Sequence, residues 1–127
     1  MVTDSLSLSL RSTRSHYNMT SIIFTKTSDD NYKSIECNGH AGFAEYGSDI
    51  VCSAISILTI NTINSLDNLT KDEISVFQDE DKGIIRFEFK DTPSHDAELL
   101  VRSFELGIES IYQQYGKKYL NIKFRRE

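Results

Sequence analysis

Between Ile84 and Lys90 the chain alternates at period two: Ile85, Phe87 and Phe89 fall on one face, with Arg86 and Glu88 on the other. That is the signature of a strand with one side buried. A turn from Asp79 to Gly83 joins it to a second β-rich run, Ile74 to Gln78, so the two read as a hairpin. A similar unit occurs earlier, with Ser21 to Lys26, a polar turn at Ser28 to Asn31, and Tyr32 to Cys37. Each hairpin is followed by a stretch long enough for a helix. A last alternating run, Tyr119 to Arg125, places Leu120, Ile122 and Phe124 on one face. The order ββαββαβ predicts an α+β domain, an antiparallel sheet carrying two helices.

The second helix is expected to start at Thr92, Pro93 and Ser94 and to run to about Tyr115, with Gly116 as its stop. Its buried stripe reads Ala97, Val101, Phe104, Ile108, Ile111 and Tyr115. The first helix is expected from Ile50 to about Leu66, with Asp49 as N-cap. Its isoleucines and threonines lean towards strand, but its length favours helix. Val51, Ala54, Ile55, Leu58 and Ile63 lie on one side, Ile50, Ile57 and Ile60 on another. Apolar residues on several faces point to an enclosed helix, partly covered by a second subunit.

A chain of 127 residues supports one domain. Its formal charge of −5 disfavours general nucleic-acid binding and suits a basic partner. The longest apolar run carries Ser, Thr and Asn throughout and reads as too polar for a membrane span. Two cysteines, Cys37 and Cys52, make a poor disulfide framework, so a reducing cytoplasm is expected. Residues 1–18 differ from the rest, alternating Ser and Leu before Arg11 and Arg14. They read as a tag or mis-started extension, with Met19 the natural start and 19–127 a single domain. Without Arg11, Arg14 and Asp4 the formal charge moves from −5 to −6.

The chemistry concentrates between Gly39 and Ser56. His40 and Cys52 stand twelve residues apart across a glycine-bearing loop, the thiol near the start of a helix. A cysteine becomes a nucleophile when a base takes its proton and a positive field stabilises the thiolate. With Asp49 as cap, Cys52 is the third helical residue, beside free N–H groups and the positive end of the helix dipole. Asp49 caps the helix or orients His40, and Ser56 lies one turn beyond Cys52. Residues 41–48 read as a loop over the site, with Phe43 and Tyr46 closing on substrate and Gly42 and Gly47 permitting movement. Cys37, in a strand, reads as core. A metal site built from Cys37, His40, Cys52 and His95 lacks the usual ligand spacing, and no metal or cofactor is expected.

The segments GHA and DIVC, with the loop between them and the later Ser56, resemble the ribosomal-processing cysteine protease family, Prp. The resemblance covers nearly everything from Met19 onward, including the helix that begins near SHDAELL. Ser53 departs from it, where the family has Ala or Gly. The resemblance implies a homodimeric endopeptidase with Cys52 as nucleophile and His40 as general base; Asp49 and Ser56 also match the family pattern. The implied substrate is a basic large-subunit ribosomal protein, the twenty-seventh of the L series, cut after a phenylalanine to release its N-terminal extension. The alternative is a ribosome-associated binding module in which His40 and Cys52 are structural.

Overall fold

The computed structural model describes residues 19–39, 46–116 and 118–127, with the backbone alone for residues 46–49. The elements are β1 (Thr20–Lys26), β2 (Tyr32–Asn38), α1 (Tyr46–Leu69), β3 (Ile74–Asp79), β4 (Ile84–Phe89), α2 (His95–Tyr115) and β5 (Leu120–Arg126). The order ββαββαβ is the expected one, and the strand ends fall within a residue or so of the sequence reading.

The sheet runs β3-β4-β2-β1-β5. Three pairings are antiparallel, as expected; β5 lies parallel to β1. Connectivity explains the mixture. A helix between two strands of one sheet carries the chain back across it, so the second strand runs the same way as the first. Thus β3 repeats the direction of β2 across α1, and β5 that of β4 across α2. The two crossovers start from oppositely directed strands and travel to opposite edges. Right-handed connections then put both helices on the same face.

The packing agrees. One core joins Ile22 and Phe24 of β1, Ile35 and Cys37 of β2, Phe87 and Phe89 of β4 and Leu120 of β5 to the buried faces of both helices. From α2 come Ala97, Val101, Phe104, Ile108 and Ile111, the stripe read from the sequence, with Tyr115 packed at its margin. Phe24 sits among Phe104, Tyr32 and Phe124, at ring separations of 6.0, 6.4 and 5.3 Å. The helices meet where Gly107 of α2 faces Leu58 of α1; a Cβ there would stand 2.9 Å from the Leu58 Cδ1. The opposite sheet face carries a polar ladder, with Arg86 3.9 Å from Glu36 and 2.7 Å from Glu88, as befits a face turned to water.

The first helix differs from expectation at both ends. It begins at Tyr46 and ends at Leu69, longer than Ile50 to Leu66. Its buried stripe is Val51, Ile55, Thr59, Thr62 and Leu66. Its exposed side reads Ser53, Ile57, Asn61, Asn64 and Asn68, so one face is mostly polar rather than apolar all round. By length and mean hydropathy (1.4), Ile50–Leu69 is apolar enough to cross a membrane, so its Ser, Thr and Asn do not exclude a span by themselves. In the fold this helix lies on the sheet and buries its stripe in the shared core.

The start of α2 is held by a clamp. Ser94 is the N-cap, its Oγ accepting from the Ala97 N–H at 3.2 Å. Its own N–H and Oγ–H donate to the two carboxylate oxygens of Asp72 at 2.8 and 2.6 Å. Burial pushes the Asp72 carboxyl up, but hydrogen bonds from Ser94, joined by Thr70 and the Asp72 backbone, together outweigh it and hold the group below its usual 3.8. Ser94→Ala is expected to cost about 1 kcal/mol in denaturant unfolding at neutral pH. A depressed carboxyl contributes above its unfolded pKa and loses that contribution as pH falls through the folded value. The gap between wild type and Ser94→Ala should therefore shrink in unfolding curves recorded below pH ~4.

Candidate active site

Strand β2 and helix α1 carry the candidate residues, and a buried side-chain contact ties the two together. Cys37 in β2 and Thr59 in α1 meet with Sγ and Oγ1 3.1 Å apart. Cys52 lies seven residues before Thr59, hence two turns away on the same side of the helix, about 10 Å along its axis. Ser56 lies between them. Both Cys52 and Ser56 are half-buried, on the flank of the buried stripe.

The direction of α1 follows from reach. Gly39 and Tyr46 are seven Cα steps apart, a span of at most about 25 Å. Tyr46 lies thirteen residues, about 20 Å, from Thr59 along the axis. Were α1 parallel to β2, Tyr46 and Gly39 would fall on opposite sides of the Cys37–Thr59 contact, about 27 Å apart along the axis alone. The chain cannot span that. The helix therefore runs back along β2, and Cys52 lies towards the end where β2 finishes.

That end is fixed by Gly39. Its φ of +105° is one that residues with a side chain rarely adopt, and a Cβ there would meet the Met19 carbonyl oxygen at 2.9 Å. Its N–H donates to the Gly83 carbonyl at 3.1 Å. The residue before His40 is thereby held against both the β1 start and the β3–β4 turn.

His40, Gly42 and Phe43 lie outside the described residues, as do the side chains of Tyr46 and Asp49. The backbone corrects three sequence expectations. Because α1 begins at Tyr46, Asp49 is the fourth residue of the helix and not its cap. Tyr46 and Gly47 belong to the first helical turn, not to a loop reaching Ser48. Cys52 is then the seventh helical residue, and its N–H is matched to the Ser48 carbonyl by the helical pattern. In this conformation the thiol stands in the second turn, where the dipole has largely fallen off, and its own N–H is not a free oxyanion donor. Sequence reasoning placed the start late because Asp49 is a good capping residue, while the glycine and aromatic residues before it suggested a loop.

The two thiols differ in kind. Cys37 is 6% exposed, and burial pushes its thiol up to about 12. It is a core residue, as read. The Thr59 partnership was not read from the sequence. A threonine on the buried side of an isoleucine-rich helix, opposite a strand cysteine, is the only signal it leaves. Among the described residues no cluster of three or more His, Cys, Asp or Glu side chains forms a metal site.

A five-stranded mixed sheet thus carries two helices on one face, and α1 presents one half-buried thiol, Cys52. A sequence model of the cysteine protease Prp family matches residues 19–120. The chain belongs to that family and is a cysteine protease. It is 26% identical over 106 residues to the ribosomal processing cysteine protease Prp of Staphylococcus aureus, covering 83% of this chain and all of that protein. To its Bacillus subtilis counterpart it is 30% identical over 94 residues, covering 71% and 84% of the two chains. A crystal structure from Streptococcus mutans superposes with a TM-score of 0.77 at 30% identity, covering 87% of this chain and 97% of that one. The Staphylococcus aureus protease in complex with a substrate peptide superposes with a TM-score of 0.75 at 23% identity, covering 86% and 100%.

Native protein exposed briefly to iodoacetamide at pH 8 should gain one carbamidomethyl group, at Cys52. Cys37 should react only after denaturation, since both its burial and its raised pKa withhold the thiolate. Peptide mass spectrometry reads the site, and prior labelling of Cys37 would contradict the assignment.

Proposed function

We propose that this protease removes the N-terminal extension of a basic large-subunit ribosomal protein, the twenty-seventh of the L series. Cys52 is the nucleophile and His40 its general base. The observation that carries the reading is the antiparallel course of β2 and α1. It brings the half-buried Cys52 towards the end of β2 where Gly39 turns the chain, and His40 follows Gly39 directly in the sequence.

The chemistry is that of a thiol protease. His40 takes the Cys52 proton as the sulfur attacks the scissile carbonyl. The imidazolium returns that proton to the leaving amine as the C–N bond breaks, leaving a thioester. His40 then takes a proton from water as water attacks the thioester, and gives it to the sulfur as the C–S bond breaks, which frees the carboxyl product and restores the thiol. Asp49 and Ser56 support the pair, Asp49 by orienting His40 now that the helix begins before it. Gly42, Phe43, Tyr46 and Gly47 contact the substrate chain.

The names of the relatives support the substrate class: two are ribosomal processing proteases. A staphylococcal member has also been captured with a covalently linked product peptide. A chain of net charge −5 suits a basic substrate, whose approach it would speed. The protease domain is taken as residues 19–127. It acts in the reducing cytoplasm, which fits two free thiols, one of them required as thiolate. It acts as a homodimer, with Ile57 and Leu69 of α1 or Leu99 and Leu106 of α2, all exposed, available for a second copy to cover.

The decisive experiment compares wild type and Cys52→Ala on a peptide spanning the extension junction. Wild type is expected to cut after the phenylalanine, and Cys52→Ala to lose at least about 10³-fold in kcat. Wild type that binds the peptide without cutting it would return the protein to the binding-module reading. Sedimentation of the full chain is expected to give a dimer mass.

A further inference from the structure

We propose that the Cys37–Thr59 contact is a positioning pair for catalysis, setting how far α1 is advanced along β2 and so where Cys52 stands. The inference rests on the Cys52–His40 reading above and adds residues to it.

The contact is part of a short hydrogen-bonded chain. The Thr59 hydroxyl has one proton, and it is donated to the Ile55 carbonyl at 2.7 Å. The 3.1 Å contact is therefore the Cys37 S–H donating to Thr59 Oγ1. Both side chains are buried, Thr59 at 0% exposure and Cys37 at 6%. Around them the core is apolar, with Ile22 and Ile35 from the sheet and Val51 and Ile55 from the helix. Such a place has no need of polarity for stability. Valine at position 59 has nearly the same shape; replacing both partners by apolar groups is close to neutral, and replacing Thr59 alone leaves unpaired only an S–H, a weak donor. What the pair supplies is a register. Apolar surfaces tolerate sliding, whereas a satisfied hydrogen bond in a low-dielectric core selects one arrangement.

The leverage lies in where the pair sits. It is two residues from Gly39 on the strand and two helical turns from Cys52 on the helix. Gly39 is itself pinned against the backbone of Met19 and Gly83. One arm is thus anchored to the sheet, and the Cys37–Thr59 contact sets the other arm against it. A misplacement of about 1 Å at reacting atoms costs up to about 10²-fold in rate.

The test uses the full chain with Thr59→Val, Thr59→Ser and Cys37→Val, assayed on the junction peptide and by iodoacetamide labelling of Cys52. Thr59→Val is expected to unfold at nearly the wild-type denaturant midpoint. Its kcat should fall about 10- to 100-fold with KM little changed, and Cys52 labelling should slow. Thr59→Ser, which keeps the hydroxyl, should recover most of the rate. Cys37→Val should behave like Thr59→Val and serves if that variant does not fold. Wild-type kcat in Thr59→Val or in Cys37→Val would overturn the positioning role. So would a serine variant no better than the valine one. Wild type that neither cuts the peptide nor labels faster at Cys52 than His40→Ala would instead overturn the reading of the site.

Discussion

The constraint on which the rest depends is that both helices must bury their stripes against one face of one sheet. Two crossovers start from oppositely directed strands and run to opposite edges, and the preferred handedness sends both helices to the same side. The core is therefore single. Phe24 and Phe104, on different layers, pack as neighbours within it. The opposite sheet face carries the Glu36, Arg86 and Glu88 charges beside Ile23 and an exposed Phe77, and its ion pairs contribute little to stability.

From that arrangement follows the geometry of the site. α1 must return along β2, since the chain between them is too short for any other course. A strand end and a helical cysteine thus come to the same end of the domain without a dedicated scaffold. Gly39 fixes the strand's exit against neighbouring backbone, and Thr59 fixes the helix against the strand. The nucleophile proposed here is held by elements of the core.

The helix start changes the chemistry read from the sequence. A cap at Asp49 would have put the thiol among free N–H groups; a start at Tyr46 puts it one turn deeper. Activation of the sulfur then leans on the proposed base more than on the helix dipole. Asp49, the fourth residue of the helix, is not its cap. The two cysteines show how little residue type alone decides. Cys37 is pushed up to about 12 by burial, whereas Cys52 lies at the margin of the core.

Periodicity determined the element order, the two hairpins, the second helix with its stripe, and the final strand. These depend on local spacing and on the chemistry of a few residues, both of which survive in a one-dimensional string. The family resemblance rested on GHA and DIVC, which are likewise local. What the sequence left open depends on partners distant in the chain. The direction of β5 followed from the path of α2 across the sheet, and the polar face of α1 from which of its sides the sheet covered. The Cys37–Thr59 bond joined residues that only packing brings together. Local spacing tells a residue which face it occupies, but only the assembled layers decide what that face meets.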